Sequence, residues 1–194
     1  MSRAERDKWD ARYRAGAYAE RPHPTALLAD WIDRSPRGRA LDVACGAGRN
    51  ALFLAARGYA VDAVDISAGG LDRGRAAAAE RGVDVSWHCV DLEERPTALP
   101  PGPYDVVVWV RYVNAALWPE VLSRLAPGGY LLVEQHLVTD LDVVGPTSAA
   151  FRVAPGQLAR ATTALTTVHE HEGLIVDPDG RAAAVAQLIG RRPD

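Results

Sequence analysis

The sequence predicts an α/β fold in which a mostly parallel, seven-stranded sheet lies between two layers of helices, a three-layer sandwich. Strand-like and helical segments alternate from Arg39 to Leu137, and this alternation requires parallel strands joined by helical crossovers. The segment Tyr104–Val110 ends in an unbroken apolar run, which is typical of a strand buried on both faces. Two strand-like stretches near the end of the chain flank the turn Asp177-Pro178-Asp179-Gly180, which predicts a closing antiparallel hairpin.

The first three strands are predicted from short apolar runs and from the residues that bound them. Gly58 is a stop signal for the helix after the first strand, and Ser67 is a natural N-cap for the next helix. The third strand alternates apolar and polar residues, as an edge strand does. The predicted strands are Arg39–Ala44, Ala60–Asp65 and Val83–Val90, and the helices are Arg49–Arg57 and the segment from Ser67 to Arg81.

The second half of the chain is predicted to complete the sheet. Arg95–Pro103 holds four prolines and a glycine and is therefore expected to be a loop before the central strand Tyr104–Val110. Pro127-Gly128-Gly129 predicts a turn. The remaining predicted elements are the helices Trp118–Ala126 and Pro155–Ala164 and the strands Tyr130–Leu137, Thr166–Val176 and Ala182–Ile189.

Length and composition fit one domain. A chain of 194 residues with 48% hydrophobic residues buries roughly 70% of the surface that it exposes when unfolded. We expect an N-terminal helical lid (1–37), an α/β core (38–138) and a C-terminal helix and hairpin (139–194). The longest apolar run is too short to cross a bilayer and the N-terminus is charged, so we expect a soluble cytoplasmic protein without a membrane partner.

Charge and residue counts exclude several classes of function. Two cysteines, Cys45 and Cys89, are too few for a disulfide framework or a cysteine zinc site. The formal charge of -3 disfavours a nucleic-acid partner. Lys8 is the only lysine, which excludes both a Walker A phosphate loop and a Tyr-x-x-x-Lys dehydrogenase pair. His169 and His171 share one face of a strand, but their glutamate neighbours favour a solvated edge, and we expect no metal.

The segment Leu41–Asn50, LDVACGAGRN, predicts a nucleotide-type pocket. A strand that runs directly into Gly46-Ala47-Gly48 lets the backbone turn tightly and approach a ligand without side-chain obstruction. The same glycines also fit the dinucleotide fingerprint G-x-G-x-x-G/A, so this motif alone does not identify a cofactor.

Aspartates at the ends of the first three strands favour one cofactor class over the other. Asp42 would face a cationic group and repel a pyrophosphate, and the less favoured alternative is that it caps the next helix. Asp65 is placed to accept hydrogen bonds from both ribose hydroxyls, whichever cofactor binds. Asp91 could accept from an adenine amino group, with the Leu92 amide available to a ring nitrogen. This set favours an adenosyl group that carries a sulfonium amino acid.

These motifs resemble those of the class I, Rossmann-like S-adenosylmethionine-dependent methyltransferases over nearly the whole chain. LDVACGAGRN is similar to the first motif of that family, Val64-Asp65-Ile66 to the second, Val90-Asp91-Leu92 to the third, and Leu125–Gly129 to the turn before the fifth strand. The resemblance implies S-adenosyl-L-methionine as cofactor and S-adenosyl-L-homocysteine as product. The implied cofactor-binding residues are Asp42, Ala44, Gly46, Ala47, Gly48, Asn50, Asp65, Ile66, Asp91, Leu92 and Val110.

Within that family, the sequence is similar to the small bacterial methyltransferases related to tellurite-resistance proteins. Gly48-Arg49-Asn50 and the segment Trp9–Tyr13 carry this similarity. The tellurite branch has a His-Arg pair near its last turn, where this sequence has Gly173-Leu174, and Arg181 could keep one basic contact. This difference disfavours tellurite or selenite as the substrate, and we expect a small-molecule acceptor.

Residues beyond the cofactor motifs give candidates for the acceptor site. Methyl transfer by in-line displacement needs alignment and exclusion of water, and a base only for a hydroxyl or amine acceptor. His136, at the end of the fifth strand, is the tentative base. Arg111 and Tyr112 follow the fourth strand and could bind an anionic acceptor or be solvated loop residues, and Tyr13 could cover the pocket or pack in the core.

Two other functions stay open from the sequence. A non-catalytic protein on this fold would keep the cofactor pocket, and a nicotinamide-dependent oxidoreductase would need a hydride-transfer site that the sequence does not show. The sequence does not distinguish thiol, carboxylate, amine and hydroxyl acceptors, and the oligomeric state is unknown.

Overall fold

The structure, a computed structural model, describes residues 3–19 and 21–194, apart from the side chains of residues 3–5. Seven strands form one sheet in the order β3-β2-β1-β4-β5-β7-β6. The strands are β1 (Arg39–Val43), β2 (Ala60–Asp65), β3 (Val85–Cys89), β4 (Tyr104–Val110), β5 (Leu125–His136), β6 (Thr166–Val176) and β7 (Ala182–Arg191). The α-helices are α1 (Arg3–Arg14), α2 (Ala26–Trp31), α3 (Arg49–Ala55), α4 (Ala68–Arg81), α5 (Trp118–Arg124) and α6 (Gln157–Ala161).

The pairing of the strands confirms the predicted α/β fold. The first five strands pair in parallel, and β7 runs antiparallel to both β5 and β6. β4 lies at the centre of the sheet and β3 at one edge, as their hydrophobic patterns predict. Because the carboxyl ends of parallel strands meet at one edge, Asp42, Asp65 and Arg111 lie at or just beyond the same edge, which we call the carboxyl edge.

The sheet separates two hydrophobic clusters, one on each face. Alternate residues of β4 point to opposite faces: Val107 and Trp109 join one cluster, and Val106 and Val108 join the other. All four are at most 1% exposed. Burial of both faces explains why the strand has no polar alternation, since parallel sheets carry helices on both sides.

The turn predicted at Pro127-Gly128-Gly129 is wrong. Helix α5 ends at Arg124, and the chain enters β5 at once, because Leu125 already pairs with Tyr104. The next paired residues are Val106 and Tyr130, so the segment 126–129 forms a bulge inside the strand. Gly128 has a left-handed φ of 72°, a conformation that glycine adopts without a steric penalty.

The other differences are in the lengths of elements. Helix α6 covers five residues where ten were predicted, because Gly156 caps its start with a left-handed backbone and the chain leaves the helix in a turn at 162–165 before β6 begins. The closing hairpin is confirmed, with its turn at Asp177–Gly180. Within the described residues, no helix is both long and apolar enough to cross a membrane.

Helix α1 lies against the start of α4. One carboxylate oxygen of Asp10 accepts hydrogen bonds from the Ser67 hydroxyl (2.6 Å) and from the Gly69 amide (3.0 Å). The guanidinium of Arg73, on α4, donates to the carbonyl of Tyr13 (3.1 Å). These bonds hold the N-terminal segment over the loop that follows β2.

A polar cluster lies at the opposite edge of the sheet. The Asp62 carboxylate accepts from Arg39 (3.0 Å) and from the Tyr104 hydroxyl (2.9 Å), and it contacts His88 Nε2 at 2.8 Å. The Asp105 carboxylate accepts from the Arg39 amide at 2.7 Å. This edge carries the amino ends of the strands, away from the candidate site.

Candidate cofactor and acceptor site

The glycine turn after β1 is compact and has an unusual backbone. Ala44, Gly46 and Gly48 all have positive φ angles, of 55°, 58° and 78°. The Cys45 amide donates to the Val64 carbonyl (2.9 Å), which ties the turn to β2. Ala44 pays a steric cost for its left-handed backbone, and such strain is often found at binding sites.

Asp65 holds this turn in place. Its carboxylate accepts from the Gly46 amide at 2.7 Å and from the Ser67 amide at 2.9 Å. The residue is 8% exposed, and burial raises its pKa, although the hydrogen bonds from the backbone oppose that rise. A carboxylate has about four acceptor positions, so two backbone donors leave Asp65 able to accept from a ligand.

Asp42 is more deeply buried than the sequence suggests. Its carboxylate accepts from the Ala51 amide at 2.9 Å, in the first turn of α3, and the residue is 1% exposed. Burial raises the pKa of Asp42 to about 7. The observed bond is the helix-capping contact that was the alternative to cofactor binding, and the cofactor role of Asp42 stays a prediction.

Asp91 lies in the loop after β3. Its carboxylate accepts from the Glu93 and Glu94 amides at 3.0 and 3.2 Å. The Asn114 side chain donates to the Leu92 carbonyl (3.3 Å) and to the Tyr112 hydroxyl (3.2 Å). Burial raises the pKa of Tyr112, and the carboxylates of Glu93, Asp91 and Asp65 raise it further. Tyr112 therefore lies on the β2 and β3 side of the carboxyl edge.

Tyr13 covers the glycine turn. A Cβ atom on Gly46 would come within 2.1 Å of the Tyr13 hydroxyl oxygen, so the phenol occupies the space that the missing side chain leaves. The Tyr13 ring lies 6.3 Å from that of Trp9 and 5.9 Å from that of Tyr18. Burial and the charge of Asp65 raise the pKa of Tyr13, so its hydroxyl keeps its proton at neutral pH.

Arg111 joins a buried charged network that the sequence does not reveal. Its Nε donates to Glu134 (3.0 Å), and its two terminal nitrogens donate to the two oxygens of Asp177 at 2.7 and 2.5 Å. Glu134 is 0% exposed and also accepts from the Thr25 hydroxyl (2.9 Å) and the Gln187 amide (2.8 Å). Burial lowers the pKa of Arg111, but the two carboxylates outweigh it, and the net shift is upward.

The network occupies the hydrogen-bond donors of Arg111. All three guanidinium nitrogens donate to carboxylates, which leaves little donor capacity for an acceptor.

Other residues predicted to bind the cofactor lie close to this network. The Asn50 side-chain oxygen accepts from the Thr25 amide (3.0 Å), so this predicted cofactor residue fixes the start of α2. Ala44, Ala47, Ile66 and Val110 lie on the same edge with part or little of their surface exposed.

Comparison with known proteins agrees with this architecture. A family model described as a methyltransferase domain matches residues 40–129. This part of the chain, a little under half of it, is therefore similar to a methyltransferase domain. The matched region begins in β1 and ends in the bulge of β5, so it includes the glycine turn, Asp65, Asp91 and Arg111.

Three relatives illustrate the similarity. A ubiquinone biosynthesis O-methyltransferase of Chromobacterium violaceum is 32% identical over 113 residues, 54% of this chain and 48% of that protein. The crystal structure of TehB from Haemophilus influenzae has a TM-score of 0.72 at 22% identity and covers 86% of this chain and 61% of its own. A Burkholderia thailandensis 1,6-didemethyltoxoflavin-N1-methyltransferase, with bound S-adenosylhomocysteine, has a TM-score of 0.70 at 16% identity, covering 97% and 87%. The chain spans about half the length of the curated relatives that it matches.

The residues at the carboxyl edge fit the chemistry of S-adenosylmethionine. A Cβ on Gly70 would lie 3.0 Å from the Gly46 carbonyl, so the absence of a side chain there lets the start of α4 pack closely against the glycine turn. Asp65 and Asp91 offer carboxylate oxygens, which match the hydroxyl and amino donors of an adenosyl group. Within the described part of the chain no group of metal-ligating side chains is large enough to hold an ion.

His136 ends β5 in a nearly dry position. It is 8% exposed, and its Nδ1 has no hydrogen-bond partner among the described residues. Burial lowers the pKa of His136 to about 4, and the positive charges of Arg111 and Arg152 contribute. The imidazole is therefore neutral at pH 7 and keeps a nitrogen that can accept a proton.

The first prediction concerns the charged network. Arg111→Met leaves Glu134 and Asp177 buried without their cation, and breaking a buried ion pair in this way costs about 3 to 5 kcal/mol. We expect urea denaturation at pH 7 to show such a loss, which should shrink in acid as the carboxylates take up protons. The control Arg39→Met breaks an ion pair whose Arg39 side chain is 42% exposed, and it should cost about 1 kcal/mol or less. Equal losses in the two variants would contradict this account.

The second prediction concerns Asp42. Because its folded pKa of about 7 lies above the unfolded value near 3.8, the folded state binds more protons between these values, and stability falls as the pH rises from about 4 to 7. Asp42→Asn stays neutral and can still accept from the Ala51 amide. We therefore expect the variant to gain stability over the wild type as the pH rises, by an amount on the order of a few kcal/mol. Urea unfolding at several pH values measures the gap, and a gap independent of pH would disprove the raised pKa.

Proposed function

We propose that this protein is an S-adenosylmethionine-dependent methyltransferase that moves a methyl group to a small-molecule acceptor by in-line displacement. The observation that carries the proposal is the geometry of Asp65, whose carboxylate fixes the glycine turn and retains acceptor capacity at the carboxyl edge of a methyltransferase domain. When bound, S-adenosylmethionine supplies a methyl group that its sulfonium already activates. The protein then has to bind, align and exclude water.

The β1, β2 and β3 side of the edge is assigned to the cofactor. In this proposal Asp65 accepts from the ribose hydroxyls, Asp91 and the Leu92 amide bind the adenine edge, and Ile66 packs against an adenine face. The methionine part is assigned to the glycine turn, beside the Tyr13 phenol that covers Gly46. Asp42 acts through the start of α3, which it caps through the Ala51 amide.

The β4 and β5 side is assigned to the acceptor. Tyr13 excludes water from above the glycine turn, and Tyr112 is proposed to reach the acceptor from the β2 and β3 side, where Asn114 links it to Leu92. The Val110 carbonyl is proposed to accept from the amino group of the cofactor. His136 is neutral at pH 7 and is proposed to accept the proton of a hydroxyl or amine acceptor, whereas a thiolate or carboxylate would not need it. Because a pKa of about 4 makes His136 a weak base, it takes the proton late in the reaction, after attack on the methyl group has made the acceptor's proton more acidic.

The cysteines and the net charge support a proposed location and a proposed class of partner. The free thiols of Cys45 and Cys89 support a reducing, cytoplasmic location. A small-molecule partner is favoured over nucleic acid because the net charge is negative. A non-catalytic binding protein is the second candidate function, and only an assay of methyl transfer separates it from an enzyme.

The third prediction tests the cofactor. S-adenosylmethionine and S-adenosylhomocysteine should each raise the melting temperature in a saturable way, and NAD should not. Asp65→Ala should weaken S-adenosylhomocysteine binding at least about tenfold, which corresponds to about 1.4 kcal/mol. Isothermal titration calorimetry measures both affinities.

The matched control is Asp105→Ala. Asp105 also accepts a hydrogen bond from a backbone amide, that of Arg39 at 2.7 Å, but at the opposite edge of the sheet. This variant should lose some stability and bind S-adenosylhomocysteine like the wild type. A stronger response to NAD than to either adenosyl compound, or an equal loss of affinity in the two variants, would refute the proposed cofactor site.

The fourth prediction tests His136 after a screen with radiolabelled methyl donor has found an acceptor. For a hydroxyl or amine acceptor, His136→Gln should lower kcat about a hundredfold or more and change KM little, since a general base acts in the transition state. In the wild type, the histidine limb of the pH profile should lie near pH 4 and not near 6.5. His88→Gln, whose imidazole contacts Asp62 at 2.8 Å instead of the acceptor side, is the control, and a His88 effect of equal size would remove His136 from the chemistry.

A further inference from the structure

A pocket opens at the carboxyl edge beside the glycine turn, on the side away from Asp65 and Asp91. It is lined by Arg21, His23, Arg49, Asp177, Pro178 and Asp179. Three separate parts of the chain form it: the segment before α2, the first residue of α3 and the turn of the closing hairpin. The turn of the hairpin thus folds back over the first residues of the α/β core.

Most charges around this pocket neutralise one another. Both Asp177 oxygens accept from Arg111 at 2.7 and 2.5 Å. Asp179 pairs with Arg21 at 2.8 Å and with Arg181 at 2.7 Å. These carboxylates therefore already have guanidinium partners and offer no free anion to a further cation.

Arg49 is the exception among the described residues. Its guanidinium makes no ion pair with a carboxylate there, and its single observed hydrogen bond goes to the His23 carbonyl at a long 3.4 Å. Arg21, Arg111 and Arg181 each have a carboxylate partner around the pocket. The Asp42 carboxylate acts on Arg49 from a distance but bonds to the Ala51 amide and forms no ion pair with Arg49. Arg49 is therefore the guanidinium of this group without a carboxylate partner at ion-pair distance among the described residues.

The Arg49 guanidinium is partly desolvated. The residue is half-buried, and burial and the charge of Arg111 lower its pKa. The carboxylates of Glu134, Asp177 and Asp42 oppose that shift without reversing it. A partly desolvated guanidinium is stabilised by an anion, and its planar fork matches a carboxylate with two parallel hydrogen bonds. The cavity itself is small, about 10 Å³ or room for roughly one water molecule, so an anion would meet the half-buried Arg49 guanidinium at the mouth of the pocket.

We propose that this pocket binds a carboxylate of the methyl acceptor, with Arg49 as its principal contact, so that the substrates are acidic organic molecules. The inference rests on the proposed methyltransferase function. Arg49 directly follows the glycine turn, so a carboxylate held there lies beside the place assigned to the methionine part of the cofactor. The β2 and β3 side, with Asp65 and Asp91, is left for the adenosyl group.

The test uses benzoate and its neutral isostere benzamide as probes of the full-length protein, with and without saturating S-adenosylhomocysteine. At constant ionic strength, calorimetry should show that the wild type binds benzoate at least about tenfold more tightly than benzamide. Arg49→Gln should abolish this preference, and Arg49→Lys should restore part of it, because the ammonium keeps the charge and loses the fork. Arg57→Gln, which removes an arginine two residues after α3, should behave like the wild type.

The carboxylate of the cofactor is the competing source of the same chemistry. S-adenosylhomocysteine carries it, and 5′-methylthioadenosine lacks it. If Arg49→Gln weakens S-adenosylhomocysteine tenfold and leaves 5′-methylthioadenosine unchanged, Arg49 binds the cofactor and the proposal is overturned. Equal binding of benzoate and benzamide by the wild type, or a preference that survives in Arg49→Gln, overturns it as well.

These outcomes separate the proposal from the proposed function. If S-adenosylhomocysteine binds through Asp65 and benzoate shows no preference, the methyltransferase stands and its acceptor is not acidic. If benzoate binds through Arg49 and S-adenosylhomocysteine does not bind, the anion pocket stands and the methyltransferase fails. If both S-adenosylhomocysteine and benzoate bind as expected, a screen of acidic acceptors against their amides should place the methyl label in the acids. In Arg49→Gln, KM for these acids should rise about tenfold or more, and kcat should change less.

Discussion

The candidate site depends on the two hydrogen bonds that the Asp65 carboxylate accepts from the Gly46 and Ser67 amides. Gly46 belongs to the turn after β1 and Ser67 to the start of α4, so one side chain at the end of β2 fixes the loops on both sides of it. The glycine turn is strained at Ala44, whose φ angle is positive, and this strain persists because the surrounding hydrogen bonds hold the turn. A cofactor that binds here meets a backbone already in position.

The other half of the carboxyl edge depends on Arg111. Its guanidinium joins Glu134 of β5 to Asp177 of the closing hairpin, and Glu134 in turn accepts from Thr25, which precedes α2. Four parts of the chain that are far apart in the sequence are thus joined in one network around this cation. Such a network contributes little net stability over an apolar core, but it penalises any packing that leaves a charge unpaired. Its main consequence here is that the hairpin turn is held over the acceptor side.

The sequence predicted the parts of the site that depend on local rules. Strand periodicity and the position of Asp65 and Asp91 at strand ends required no knowledge of tertiary contacts, and both lie at the predicted edge. Asp177 was predicted as a turn residue, since nothing near it in the sequence shows that it will meet Arg111, 66 residues earlier. The same holds for Asn50, whose contact with Thr25 spans 25 residues. Pairing between residues so far apart follows from strand order, which hydrophobic periodicity does not give.

The two halves of the edge differ in charge in a way that suits their proposed ligands. On one side, buried carboxylates predominate, and burial raises the pKa of both Asp42 and Asp65, so that a cationic ligand would be favoured there. On the other side, Arg111 has its carboxylates and Arg49 has none among the described residues, so an anion would be favoured. A sulfonium donor and an acidic acceptor would each neutralise the side on which it binds, and their opposite charges would draw the two reacting groups together at the glycine turn between them.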